Sequence, residues 1–230
     1  MHCFKNGNDC PYNKICETKS NDGECYRMCP RFHLIDLAFY NANIPRRYLQ
    51  PFILVPSTEK DQCQYEILNT IKNEIFDFVK EGRGLYIYSK IKLNGKTSWG
   101  IKILQHYIHL TKYFDGNRTR AIYVDVGEYL QELKSSFSDK NNDEIEKFKN
   151  DIDKADLVVW DNIDEIKLTE WEAGIIKQHI KKRLSNKLSN IFIGNNIGPK
   201  LDYMVTYDLR QYIENDLKVE LYSERGAIKW

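Results

Sequence analysis

Gly95-Lys96-Thr97, inside the stretch "LNGKTSW", has the chemistry of a phosphate-binding loop. In such a loop the backbone amides wrap phosphate oxygens, the lysine reaches the β/γ oxygens and the hydroxyl holds Mg²⁺. Lys96 and Thr97 suit those two roles, with Ser89, Asn94, Gly95 and Ser98 as the neighbouring candidates for contact with a nucleotide such as ATP. The usual pattern opens with a glycine five residues before Gly95, and here that position is Lys90. Asn94 can enter the left-handed region more readily than most residues, whereas Leu93 cannot do so cheaply. The alternative is a chance Gly-Lys-Thr at a turn. Lys90 and Lys92 could offset the missing glycine by charge, face DNA, or do neither.

A second candidate closes the run "ADLVVWD". Asp161 follows an apolar strand, where a carboxylate can hold Mg²⁺ through water. A second acid beside it would polarise an attacking water, but the next residue is Asn162, whose amide cannot accept a proton. Asp164 and Glu165 would have to reach back from a turn. A third candidate is Asn195, at the end of "SNIFIGN", a polar group that could sit beside a terminal phosphate.

The last set is a cluster of thiols. Cys3, Cys10, Cys16, Cys25 and Cys29 crowd the first 29 residues, and Cys63 stands apart as a small core residue. Four thiolates around Zn²⁺ make a closed structural site. Cys10, Cys16, Cys25 and Cys29 are favoured as ligands, with Cys3 as the spare and His2 as a competitor. No CxxC pair is present, so free thiols remain the alternative. The histidines at 33, 106, 109 and 179 read as ordinary helix residues. The basic run "KQHIKKRLSNK" reads as a solvated helix face rather than a phosphate-binding one.

The elements that must position these groups alternate. "GLYIYS", "RAIYVDV", "ADLVVWDN", "SNIFIGN" and "LKVELYS" read as strands. "KTSWGIKILQHYIHL", "GEYLQELKSSF", "TEWEAGIIKQHIKKRLSN" and "TYDLRQYIEN" read as helices, with "NNDEIEKFKNDIDK" a partly helical connector. Apolar strands alternating with helices predict an α/β fold, a parallel sheet covered on both faces. Upstream, "YEILNTIKNEIFDFVKEGRG" predicts one helix with Ile67, Ile71, Ile75 and Phe78 on its buried face. Three parts are expected: a Cys-rich zinc-binding segment over 1–32, a helical linker region over 33–80 and a nucleotide-binding domain over 81–230. A net charge of +1 gives no global field toward nucleic acid. No apolar run reaches membrane-spanning length and no signal peptide opens the chain, so a cytoplasmic protein without a membrane partner is expected.

In this order, "NANIPRRY", "GLYIYS…NGKTSWGIKIL", "DLVVWDNID", "SNIFIGN" and "DLRQYIENDLKVELYS" resemble the AAA+ P-loop ATPase domain of phage and bacterial replicative helicase loaders of the DnaC/DnaI type. The Cys-rich start resembles the small zinc domain such loaders carry in front. The resemblance implies that Lys96 and Thr97 contact ATP and Mg²⁺, that Asp161 is the Walker B acid, Asn195 the sensor and Arg210 the last arginine of an Arg-x-x-x-Arg pattern. Thr206 stands where that pattern's first arginine belongs. Leu93, Asn162 and Thr206 all weaken hydrolysis while the binding contacts remain. The implied protein binds a hexameric replicative DNA helicase, self-assembles and helps place the helicase on single-stranded DNA. The rival is a non-catalytic AAA+ adaptor in a replication, recombination or transposition complex. A P-loop small-molecule kinase is disfavoured, because no arginine-rich lid is evident.

Overall fold

The computed structural model describes residues 37–49, 52–56, 58–111, 118–136 and 143–222, and the backbone of 228–229. The candidate zinc cysteines and His33 fall outside these residues. In chain order the elements are β1 Ile53–Leu54, α1 Glu59–Asn73, α2 Ile75–Lys80, β2 Gly84–Tyr88, α3 Lys96–Thr111, β3 Ala121–Asp125, α4 Val126–Ser136, α5 Asp143–Lys154 and β4 Leu157–Asp161. There follow α6 Glu170–Ser185, β5 Ser189–Gly194, α7 Pro199–Val205, α8 Tyr207–Glu214, β6 Leu217–Glu220 and β7 Ile228–Lys229.

Five strands form a parallel sheet in the order β3-β4-β5-β2-β6. The two-residue β1 and β7 pair antiparallel apart from it. The expected parallel sheet with helices on both faces is therefore present, and its strands β2 to β5 are almost wholly buried because both faces are covered, while the edge strand β6 is largely exposed. Side chains alternate along each strand. Leu85, Ile87, Tyr123, Val159, Ile191 and Ile193 join one core, to which α1, α2 and α3 contribute. Tyr86, Val124, Val158, Trp160 and Phe192 join the other, to which α4, α6, α7 and α8 contribute. Phe39, Ala42, Ile44, Tyr48, Leu68 and Ile71 belong to the first core, so the described part of 33–80 packs with the sheet.

Several sequence expectations change. The helix before β2 breaks at Glu74, where φ is −98° and ψ 17°. The break lets α1 bury Tyr65, Leu68 and Ile71 and α2 bury Ile75, Phe78 and Val79, while Ile67 stays exposed. Cys63 is exposed on α1 rather than in the core. An additional helix, α7, precedes the expected α8. Its Pro199 occupies the first turn, where a missing N–H costs nothing. Among the described residues no helix is long and apolar enough to cross a membrane.

Candidate nucleotide-binding site

Polar groups converge at the carboxyl end of the sheet. β2 sits between β5 and β6, and its chain must cross β5 and β4 to enter β3. Ligands of open α/β sheets bind at such a switch in strand order. The loop leaving β2 runs into the N-terminus of α3, where unpaired amides and the helix dipole favour an anion.

The loop takes an unexpected conformation. Asn94 does not carry the positive φ; Leu93 does, at 59°, followed by Gly95 at 91°. Asn94 is instead buried, donating its amide to Leu221 O at 3.4 Å and accepting from Lys96 Nζ at 3.2 Å. Its side chain serves as an anchor, so the left-handed turn falls on the preceding residue. Leu93 tolerates this with its side chain in solvent, 87% exposed, at about 1–2 kcal/mol for a left-handed residue with a Cβ.

Lys96 is buried. Its Nζ donates to Ile91 O at 2.8 Å and to Ser89 O at 3.3 Å as well as to Asn94. Burial pushes its pKa down to about 8, with Asp161 and Asp164 opposing that shift. Ser89 accepts from Ile91 N at 3.1 Å, which tightens the turn. Ser98 is buried in the first turn of α3.

Asp161 closes β4 with 1% of its surface exposed. It accepts hydrogen bonds from Tyr123 Oη at 2.7 Å and from the Asn162 amide N–H at 2.9 Å. The Thr97 side chain lies near enough to Asp161 to favour its charged form. Burial raises the Asp161 pKa, and the Tyr123 and Asn162 hydrogen bonds together with the nearby Thr97 side chain oppose the rise. Burial, and then Asp161 itself, push the Tyr123 phenol far up, so it stays a donor. The two residues expected to hold Mg²⁺ are therefore neighbours at the carboxyl end of the sheet. A hydroxyl and a carboxylate are hard oxygen donors of the kind Mg²⁺ takes, with water and phosphate filling its other positions. Among the described residues no cluster of three or more His, Cys, Asp or Glu forms a separate metal site.

Two acids that the sequence left aside are placed firmly. Asp164 is buried and reaches the end of β5. Its Oδ1 accepts from Asn195 N (2.7 Å) and Asn195 Nδ2 (3.3 Å), its Oδ2 from Asn196 N (2.7 Å) and Asn196 Nδ2 (2.8 Å). Gly194 is required beside it. A Cβ there would lie 2.6 Å from Tyr86 Oη and 2.8 Å from Asp164 Oδ1. Asn195 is thus near the site, with its amide committed to Asp164. The other acid is Asp125, at the end of β3 and in register with Asp161. Its Oδ2 accepts from Asn162 Nδ2 at 2.7 Å and its Oδ1 from Glu128 N at 3.1 Å. The sequence signal was available: "RAIYVD" ends in an acid just as "DLVVWD" does.

Arg210 lies on α8, ion-paired with Asp202 of α7 at 2.8 Å and stacked 5.3 Å from the Tyr207 ring centroid. Thr206 forms the turn between α7 and α8 with φ 79°. The basic run on α6 is not simply a solvated face. Lys177 pairs with Asp208 and Lys182 with Asp153, while His179 and Arg183 turn inward. Lys92 pairs loosely with Glu165, at 3.9 Å.

No family model and no curated protein matches the chain. Solved structures do. The DnaI structure aligns with a TM-score of 0.61 and 18% identity, over 78% of this chain and 95% of that one. The DnaC helicase loader aligns at 0.59 and 15%, over 77% of this chain and all of that one. The replication initiator DnaA bound to AMPPCP and single-stranded DNA aligns at 0.57 and 19%, over 74% of this chain. The chain matches about half the length, 48%, of that DnaA structure. At these identities the likeness is one of fold: this chain shares the parallel α/β fold of the DnaC helicase loader, of DnaI and of DnaA.

Proposed function

We propose that this protein binds ATP with Mg²⁺ between residues 89–97 and Asp161, and acts as a loader for a hexameric replicative DNA helicase. The observation that carries the nucleotide site is the convergence of Lys96 and Thr97, at the start of α3, on the buried carboxylate of Asp161 that closes β4. Lys96 would meet the β/γ oxygens, Thr97 and Asp161 would hold the metal, and Gly95 and Ser98 would line the phosphate cradle. The fold shared with DnaC and DnaI supports the loader role, and the AMPPCP and single-stranded DNA in the DnaA structure support binding of both ligands.

Hydrolysis is slow in this reading. Leu93 strains the loop, Asn162 replaces a second acid on β4, and Thr206 replaces an arginine that would act across a subunit boundary. The nucleotide then governs self-assembly beside DNA more than it drives cycling. Asn195 and Arg210 would sense the bound state from β5 and α8. Residues 1–32 form a zinc knob through Cys10, Cys16, Cys25 and Cys29 and grip the helicase, residues 33–80 link it, and 81–230 form the ATP-binding domain, all in the cytoplasm. The Asn162 amide also favours a second reading, a non-catalytic AAA+ adaptor.

The test is co-sedimentation of the full chain with a hexameric replicative helicase, with and without ATP and single-stranded DNA, alongside zinc content by elemental analysis. ATP-dependent capture of the helicase, with one zinc per chain, is expected. Nucleotide binding without helicase capture would favour the adaptor, and a chain purified without zinc would remove the knob.

A further inference from the structure

The acid missing after Asp161 has a counterpart one strand away. β3 and β4 run parallel, and Asp125 is the register partner of Asp161. Adjacent strands lie about 4.8 Å apart. Register partners point to the same face. Here it is the face of Tyr123, Val159 and α3, whose first residue is Lys96. The Asp125 charge acts on both Asp161 and Tyr123. Its link to Asn162 is direct, the 2.7 Å bond in which the amide donates and the carboxylate accepts. A backbone amide, Glu128 N, fixes the other oxygen at the start of α4.

Positions 162 and 125 therefore hold an acid and an amide in contact, with the acid on β3. Asn162 can orient a water through its amide oxygen but cannot take its proton. Asp125 can, and the amide holds it in place. We propose that Asp125 is the proton acceptor for ATP hydrolysis at this site, with Asn162 as its positioning residue. In this step the oxygen of a water forms a bond to the γ-phosphorus as the bond to the β–γ bridging oxygen breaks. That oxygen leaves with the electron pair on ADP, and the water's proton passes to a carboxylate oxygen of Asp125. The inference rests on the ATP-binding reading above.

The experiment is single-turnover hydrolysis of radiolabelled Mg·ATP with protein in excess, with ATP affinity measured by equilibrium dialysis on the same samples. The proteins are wild type, Asp125→Asn, and the exchanged pair Asp125→Asn with Asn162→Asp. General-base catalysis contributes about 10²–10⁴-fold. Asp125→Asn should thus slow the single turnover at least tenfold while ATP affinity stays within about threefold. The exchanged pair keeps one acid–amide contact and should recover turnover, which restoration of structure alone would not do. A wild-type rate in Asp125→Asn would overturn the proposal. So would a wild type that binds ATP but does not hydrolyse it, with the binding reading left standing. A wild type that does not bind ATP would overturn both.

Discussion

At the amino edge of the sheet, Arg183 is fully buried. It donates to Asn190 Oδ1 at 2.7 Å, Ile152 O at 2.5 Å, Ala155 O at 2.8 Å and Ser189 O at 2.6 Å. At the carboxyl edge, Lys96 is nearly as buried and donates to Ser89 O, Ile91 O and Asn94 Oδ1. The partners differ in origin. Those of Arg183 come from α5, the turn before β4, and β5, so one guanidinium ties three parts of the chain. Those of Lys96 all lie within seven residues of it, in its own loop. Burial lowers the pKa of both cations, Arg183 to about 9 and Lys96 to about 8. The first is a structural clamp. The second joins no distant segments and is available to a ligand.

The sharpest way to break this contrast is to remove each cation. Arg183→Met should cost about 3–5 kcal/mol, because it leaves several buried acceptors unpaired. Urea unfolding would show that loss, with ATP binding retained in the molecules that stay folded. Lys96→Ala should change stability by less than about 1 kcal/mol and weaken ATP binding about 100-fold, the 2–3 kcal/mol of a charge-assisted contact. Equal loss of stability in the two variants would erase the distinction.

Asp161 sharpens the contrast from the acidic side. Burial raises its pKa, so the folded state holds the proton more tightly than the unfolded chain does. That contribution is full below the unfolded carboxylate range and is lost as pH rises through the folded value. At neutral pH an ionised Asp161 therefore costs the fold stability. Asp161→Asn should therefore stabilise the fold by about 1 kcal/mol in thermal melts while removing the Mg²⁺ dependence of ATP binding.

How much of this was legible in the sequence follows from the same contrast. The apolar runs ending at Tyr88, Asp125, Asp161 and Gly194 marked the strands, because strands buried on both faces need no alternation. Lys96, Thr97 and Asp161 stand out in the sequence because their types and places follow a local pattern, and the fold gathers them at one end of the sheet. Arg183 was misread as solvated, since its acceptors are backbone carbonyls that no side-chain pattern reports. Asp125 goes unmarked in the sequence, and Asp164 reads only as an acid reaching back from a turn, because their partners, Asn162 and the pair Asn195 and Asn196, meet them only through strand pairing and a turn. The short α7 and the break at Glu74 depend on packing rather than on propensity.

Two smaller effects refine the loop. Lys96 titrates from about 8 in the free protein, so ATP affinity should begin to fall as pH rises past that point. A pH series of binding isotherms that stayed flat to pH 9 would deny the lysine a charged role. The lowered value also means that the unfolded chain holds this proton more tightly, so the Lys96 contribution to stability rises with pH between about 8 and its ordinary value near 10.5. The smallest expected change is that of Leu93→Gly. Relief of the left-handed strain is partly offset by backbone entropy, leaving a gain of about 0.5–1 kcal/mol, readable as a shift in unfolding midpoint.

The central claim is an ATP site built on Lys96, Thr97 and Asp161 that binds firmly and turns over slowly. It is tested most directly by measuring Mg·ATP binding and steady-state hydrolysis on one preparation of wild type and one of Lys96→Ala, with and without single-stranded DNA. Mg²⁺-dependent binding is expected in the wild type, with its loss in an equally stable Lys96→Ala and turnover well below the ~1–10³ s⁻¹ typical of enzymes. Equal binding by the two proteins, or wild-type turnover within that range, would contradict it.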